Sequence, residues 1–378
     1  MMAARLLYLV NIPRFFMTHR LPLARAAREA GYEVHVATSC YDEVNVSGIQ
    51  AAGLPYHPLP LQQHGTSPLH EAQAFRAIDR LYRDLKPDLV HQVSIKSILY
   101  GGAVARMRGI PAVVNAVSGL GYVFVAPGAK FAVIRTGAKL AYRAALSHPN
   151  SCTIFQNPDD RDFFVRSGLV DAAHAVLIRG SGVDVEVFAP RPEPDGKPVV
   201  LFAGRLLWQK GIGEFVEAAR RLQSRARFVI AGYGESGNPA SVPPEKLEDW
   251  QRSGVIEWWG HRTDMPEVFA QTHIVCLPSS YGEGIPKVLI EAAACGRAIV
   301  TTDSPGCREI VREGENGLLV PAGNVDALCA ALTTLLDDPV RRQQMGAVGR
   351  RMAAAEFSLA QVNAQTLAVY QTLLANKA

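Results

Sequence analysis

The chain is poor in the features that announce a metal centre, a membrane span or a secreted scaffold. Its six cysteines, Cys40, Cys152, Cys276, Cys295, Cys307 and Cys329, include no CxxC pair, and no Cys/His cluster has zinc spacing. They read as free thiols in a reducing compartment. No apolar run approaches the roughly 18–20 residues needed to cross a bilayer. The first apolar run, residues 6–10, is too short for a signal-peptide core and is followed closely by Pro13. It reads as a first strand, and the protein as cytoplasmic. No cation-rich stretch is interleaved with stacking aromatics, which argues against a nucleic-acid partner. Acidic residues are missing altogether between Asp88 and Asp159.

What is present is a folded, two-core composition. The 378 residues are 48% apolar and 20% charged, and single cores rarely grow past about 250–300 residues. The net charge of +4 is uneven: residues 1–177 hold 18 Lys/Arg against 12 Asp/Glu, the remainder 21 against 23. Lys96, Arg106, Arg108, Lys130, Arg135, Lys139 and Arg143 fill the acid-free stretch.

Short apolar runs alternate with helical patterns, which predicts α/β architecture with parallel sheets. Strands are expected at residues 5–10, 34–38, 89–93, 112–116, 153–156 and 176–178, with helices at 19–30 and 71–85 among the connections. Gly31 closes the first helix. Residues 189–198, A-P-R-P-E-P-D-G-K-P, carry four prolines and read as a linker. The rhythm then restarts, with strands at 199–203, 227–231, 255–259, 274–277, 298–301 and 318–320. The expected domains are therefore 1–188 and 199–358. The final helical stretch, 359–378, is expected to cross back onto the first domain. Two open sheets facing across a cleft bind ligands beyond the carboxyl ends of their strands.

The sharpest segment is P-S-S-Y-G-E-G-I-P-K-V-L-I-E-A-A-A-C-G, from Pro278 to Gly296. A strand ends at Pro278, a glycine-containing loop follows, and Pro286 stands where a first helical residue belongs. The helix is apolar all round, hence buried, except for Lys287 and Glu291 on one stripe. A lysine in the first turn opposes the helix dipole, and Lys before Glu is the poorer i,i+4 order. Both make sense if an anion sits at the N-terminus, meeting N–H groups after Gly284, with Glu291 accepting from ribose hydroxyls. The second segment, F-A-G-R-L-L-W-Q-K-G-I-G, places Gly204 where backbone approaches a ligand and Arg205 and Lys210 at a strand end, each able to pair with a diphosphate oxygen.

G-R-L-L-W-Q-K-G followed by E-G-I-P-K-V-L-I-E, with the E-x7-E pair Glu283 and Glu291, resembles the retaining glycosyltransferases of family 4. V-N-A-V-S-G-L-G-Y-V-F, S-G-V-D and T-D-S-P-G-C-R-E-I-V extend the resemblance over nearly the whole chain. It implies a GT-B fold of two Rossmann-like domains and transfer from a nucleotide diphosphate sugar, a UDP-sugar by analogy. It implies catalytic roles for Arg205, Lys210 and Glu283. Donor contacts would come from Gly204, Gly234, Arg262, Gly284, Ile285, Pro286, Lys287, Val288 and Glu291, with the loop at Gly260, His261 and Arg262 receiving the base. No metal and no cofactor is expected. The family's first-domain histidine has no clear counterpart: Val117 occupies one of its usual places, and His91 reads as a strand histidine.

The acceptor belongs to the first domain, with Arg14, His19, Lys96, Asn115, Ser118 and Gly119 as expected contacts. The tip Phe15-Phe16-Met17 beside Arg14 and Arg20, with the cations of 130–143 on one helix face, suggests docking on an anionic membrane. The acceptor reading is a polyprenyl-diphosphate-linked glycan. Two rivals remain. Gly232, Gly234 and Gly237 form a G-x-G-x-x-G after a strand with Glu257 downstream, as in nicotinamide enzymes, although Pro239, Pro243 and Pro244 obstruct the helix that fingerprint requires. A sugar-nucleotide epimerase of the same fold would use the same donor residues.

Overall fold

The computed structural model describes residues 3–62, 67–119, 129–235 and 237–376, with backbone alone at 129–136 and 138. The chain divides into two compact units, residues 1–181 with 359–378, and residues 182–358. The boundary lies ahead of the proline-rich stretch. That stretch is no free linker: within the second unit Arg297 donates to the carbonyl of Arg191, His273 meets that of Pro194, and Arg342 clasps Glu193.

The first unit is one parallel sheet of seven strands: β1 (Arg5–Val10), β2 (Glu33–Ser39), β3 (Tyr56–Leu59), β4 (Leu89–Val93), β5 (Ala112–Val117), β6 (Ser151–Phe155) and β7 (Ala175–Leu177). Their order is β3-β2-β1-β4-β5-β6-β7. β4, β5 and β6 are buried along their whole length, as strands covered by helices on both faces must be. β3 escaped prediction because Pro58 interrupts it; an edge strand tolerates the missing N–H, and β3 is the edge.

The helix expected at 19–30 is found as Leu21–Glu29, and a separate helix, Pro13–His19, precedes it across Arg20. Pro22 explains the break, since its ring cannot continue a preceding helix. The expected apolar tip is also dissolved. Phe16 is core, Met17 lies against Gly48, and Phe15 stacks on His19 with centroids 4.2 Å apart. The helix Leu359–Ala375 packs on this unit, where Asn150 donates to the carbonyl of Leu373 and Tyr370 reaches Tyr8 and His91.

The second unit repeats the plan with β8 (Val199–Arg205), β9 (Arg227–Tyr233), β10 (Glu257–Trp258), β11 (Ile274–Leu277), β12 (Ala298–Thr302) and β13 (Gly317–Val320), ordered β10-β9-β8-β11-β12-β13 and all parallel. In each sheet the order reverses beside the first strand, at β1/β4 and at β8/β11. Such switch points open a crevice at the strands' carboxyl ends. The second core is continuous, from Phe202 and Phe215 to Leu289, Ile290 and Phe357.

Candidate functional site

In the second unit, the loops after β8, β9, β11 and β12 converge at the switch point. They interlock where side chains are absent. A Cβ on Gly211 would lie 2.0 Å from the carbonyl oxygen of Pro278, one on Gly306 1.9 Å from that of Gly284. Thr302 Oγ1 bonds the carbonyl of Ser279 and lies 2.9 Å from Ser304 Oγ.

Arg205 is the last residue of β8, and Lys210 lies in the turn that follows it. Lys210 closes the short turn Trp208–Lys210 and is buried. Its Nζ lies 2.8 Å from Glu283 Oε2, and Ser279 Oγ donates to the other carboxylate oxygen at 3.1 Å. Arg205, about half exposed, pairs with Glu235 at 3.0 Å. Glu235 is itself braced by Asn238 and, through its own N–H, by Ser241. Gly204 is held at φ 145°, where a side chain is disfavoured although space is open.

Lys287 opens the helix Lys287–Ala294, one residue later than expected, because Pro286 takes the extended conformation of the N-cap. Leu289, Ile290 and Ala292 to Ala294 are buried. The charged stripe is real: Lys287 Nζ lies 2.6 Å from Glu291 Oε1, and Glu291 is itself buried. Ile285 points its side chain into the core, so it can offer a ligand only backbone, as can the first N–H groups at Lys287 and Val288.

The remaining donor candidates lie on the β9 and β10 side. Gly260 accepts from the N–H of Gly232, tying the two loops together, and His261 meets Tyr233 edge to face with centroids 5.0 Å apart. Arg262 is engaged by Asp264 through two hydrogen bonds of 2.7 and 2.5 Å. Gly234 is small for an internal reason: a Cβ there would press on Ser241 Oγ at 2.9 Å. No helix starts at Gly237, and the next begins at Pro244, so the dinucleotide fingerprint is absent.

The first-unit candidates lie on or after the neighbouring strands β1, β4 and β5. His19 shares a cavity of about 20 Å³ with Arg20, His91 and Asn363, room for about one water. Lys96 Nζ is held by Glu71 at 2.6 Å and the carbonyl of Gln62 at 3.2 Å. Arg14 sits on the Pro13–His19 helix, where its carbonyl accepts from Thr18. Asn115 is fully buried within β5 and presents nothing to solvent; Ser118 and Gly119 follow that strand. The rest of the expected loop, from residue 120, and the side chains of Lys130 and Arg135 lie outside the described residues. Elsewhere in the basic stretch, Arg108 is clasped by Asp79 and Arg106 bonds Ser147. His91 is a buried strand residue bonded to Tyr370. Burial first, and Arg20 second, hold its pKa well below the ordinary histidine range.

Sequence reasoning missed Glu235 and Ser279, the residues that position Arg205 and Glu283. Each lies in a segment already singled out, but nothing in a one-dimensional pattern says which carboxylate meets which cation. Among the described residues, no group of three or more His, Cys, Asp or Glu side chains is placed to hold a metal ion.

A family model of group 1 glycosyl transferases matches residues 197–338, and a glycosyl transferase 4-like model matches residues 5–157. The chain is 29% identical over 332 residues to the N,N'-diacetylbacillosaminyl-diphospho-undecaprenol alpha-1,3-N-acetylgalactosaminyltransferase of Campylobacter jejuni, covering 84% of this chain and 86% of that relative. It is 26% identical over 301 residues to the UDP-Gal:alpha-D-GlcNAc-diphosphoundecaprenol alpha-1,3-galactosyltransferase of Escherichia coli, covering 75% of each. The fold matches sucrose-phosphate synthase from Thermosynechococcus elongatus with a TM-score of 0.82 at 20% identity, over 98% of this chain and 100% of that one.

Proposed function

The chain belongs to the group 1 glycosyl transferases, with a glycosyl transferase 4-like first domain and the GT-B fold, and from that premise we propose that it moves a sugar from UDP to an undecaprenyl-diphosphate-linked glycan. The observation that carries the reading is the convergence of Lys210, Glu283 and the start of the Lys287–Ala294 helix at one switch point, with Arg205 at the end of β8, the strand that leads into the Lys210 turn. A diphosphate needs cations and oriented N–H groups, and a leaving diphosphate needs them most. Glu283 supplies an acceptor for sugar hydroxyls from the same cluster, and Glu291 one for the ribose.

The donor and acceptor classes are supported by the relatives, both of which act on sugars carried by undecaprenol diphosphate and one of which is named for UDP-Gal. Both are transferases, which favours transfer over epimerisation. In the proposed chemistry the acceptor hydroxyl attacks the face from which the diphosphate departs, and the departing phosphate oxygen takes the hydroxyl proton. Arg205 and Lys210 stabilise the negative charge that develops.

A lipid-linked acceptor requires work at a membrane surface. No described helix is long and apolar enough to cross one, so the proposed contact is peripheral. With the Phe15-Phe16-Met17 tip folded inward, the support reduces to the basic stretch alone, and flotation with anionic liposomes at low salt tests it.

The enzymatic test is nucleotide release from UDP-, GDP- and ADP-sugars, with and without a lipid-linked monosaccharide. Release that needs one UDP-sugar and the acceptor together is the expected result. Interconversion of free UDP-sugars without acceptor would overturn it.

A further inference from the structure

At the carboxyl edge of the first sheet the register sets three polar residues in a row. Leu9 pairs with Ala37 and Val10 with Val93. Continuing those pairings places Asn11 between Ser39 of β2 and Ser94 beyond β4, across the β1/β4 switch point. All three are unusual for a strand end. Asn11 is 8% exposed and its Oδ1 has no hydrogen-bond partner. Ser94 holds φ 76°, a conformation that non-glycine residues avoid, and its buried Oγ is also without a partner. Ser39 is buried and lines a cavity of about 350 Å³ together with Ile12, Pro13, Tyr41, Asp42 and Gln62.

The lining defines the occupant. Tyr41 is 66% exposed and offers an aromatic face for the apolar face of a ring. Asp42 accepts one bond from the N–H of Asn45 and one from its Nδ2, which leaves lone pairs on both carboxylate oxygens. Ser39 and Gln62 add hydroxyl and amide. Among the described residues the lining contains no cation, and Lys96 next door is committed to Glu71. A carboxylate without a cation repels phosphate, so the pocket suits a neutral polyhydroxyl ring.

We propose that this pocket is the subsite for a sugar ring of the acceptor, with Tyr41 as stacking platform and Asp42 as the group that reads its hydroxyls. The assignment rests on the transferase reading for its role but not for its binding. The diphosphate and lipid of the acceptor lie outside the pocket.

Two measurements on the full chain test it. Saturation-transfer NMR with methyl glycosides of common hexoses and N-acetylhexosamines reads sugar binding without catalysis. The expected signal is present in the wild type, lost in Tyr41→Ala and Asp42→Asn, and kept in Tyr41→Phe. The asparagine variant retains an N-cap for the following helix, so loss of the signal there is not loss of fold. In the transfer assay the same two variants raise acceptor KM tenfold or more while donor KM stays within twofold. Sugar signals untouched by both substitutions, or acceptor KM within twofold of wild type, overturn the assignment. Sugar binding that depends on Tyr41 in a chain that transfers nothing confirms the pocket and overturns the transferase reading alone.

Discussion

Lys210 and Glu283 form an ion pair, Nζ to Oε2 2.8 Å, that joins the loop after β8 to the loop after β11. Both side chains are little exposed, so the pair has been taken largely out of water. Removing one member strands the other, which costs up to about 3 kcal/mol at such sites. Removing both leaves no orphan.

Lys210→Met is therefore expected to lower both stability and turnover, the latter by about 10²–10³-fold. Lys210→Met with Glu283→Gln should recover most of the stability in urea denaturation and none of the turnover. Recovery of turnover in the double variant would mean that the pair serves the fold alone.

Arg205 presents the contrasting case. Its partner Glu235 is 3.0 Å away, but the arginine is about half exposed, and such pairs contribute about 0–1 kcal/mol. Arg205→Ala should leave the urea midpoint nearly unchanged and reduce kcat by about 10²–10³-fold. Arg205→Lys should recover only part, because an ammonium lacks the planar two-pronged donor set. Turnover near wild type in the alanine variant would sink the role assigned to Arg205.

The parts of the site that were legible in the sequence are those fixed by local rules. The apolar circumference of residues 288–294 announces a buried helix, and the Lys287–Glu291 stripe announces charges kept for a reason. The break at 189–198 correctly signals the end of regular structure but not its fate, because proline content says nothing about what Glu193 and Arg297 will meet. Asn115 is singled out by its place in a motif, whereas its burial within β5 follows from sheet register, which is invisible in one dimension. Phe16 reads as part of an exposed tip because no helical pattern marks 13–19; the helix Pro13–His19 forms there and turns Phe16 into the core.

Two buried titrating groups should give stability profiles of opposite sign. His91 has its pKa held well below the ordinary value by burial and by Arg20. Below about pH 6.5 the unfolded chain binds a proton that the folded chain refuses, so stability falls as pH drops, by up to about 1.4 kcal/mol per unit. Asp160 is pushed up to about 7 by burial. Its contribution is complete below about pH 4 and is lost as pH rises through 7. Urea midpoints measured from pH 4 to 8 should show His91→Gln losing part of the acid-side decline. Asp160→Asn should lose part of the decline toward pH 7. Profiles of both variants parallel to the wild type would refute both assignments.

Glu193 and Arg342 give the proline-rich stretch a structural role that its composition conceals. Arg342 is almost fully buried and donates from Nε and Nη2 to the two carboxylate oxygens at 2.9 and 2.7 Å. Glu193→Ala should destabilise the second unit by about 3 kcal/mol, the penalty for a buried guanidinium left without its carboxylate. Donor KM should stay within a few-fold, since neither residue belongs to the donor cluster. A loss below about 0.5 kcal/mol would restore residues 189–198 to the status of a passive linker.

Gly306 connects the motif after β12 to the chemistry. Its φ of 83° disfavours any side chain, and a Cβ would lie 1.9 Å from the carbonyl oxygen of Gly284 and 2.5 Å from that of Glu283. Both obstructing atoms are backbone and cannot swing aside. Gly306→Ala must therefore move the 283–284 loop, and with it the carboxylate that Lys210 and Ser279 hold in place. A displacement of about 1 Å at a reacting site costs on the order of 10²-fold in rate. The expected variant is folded, as judged by an unchanged far-UV spectrum and a cooperative urea transition. It should be at least tenfold slower in kcat, with a smaller change in acceptor KM than in donor KM. An alanine variant with wild-type kcat would show that the loop carrying Glu283 has room to yield, and that Gly306 is there for its turn alone.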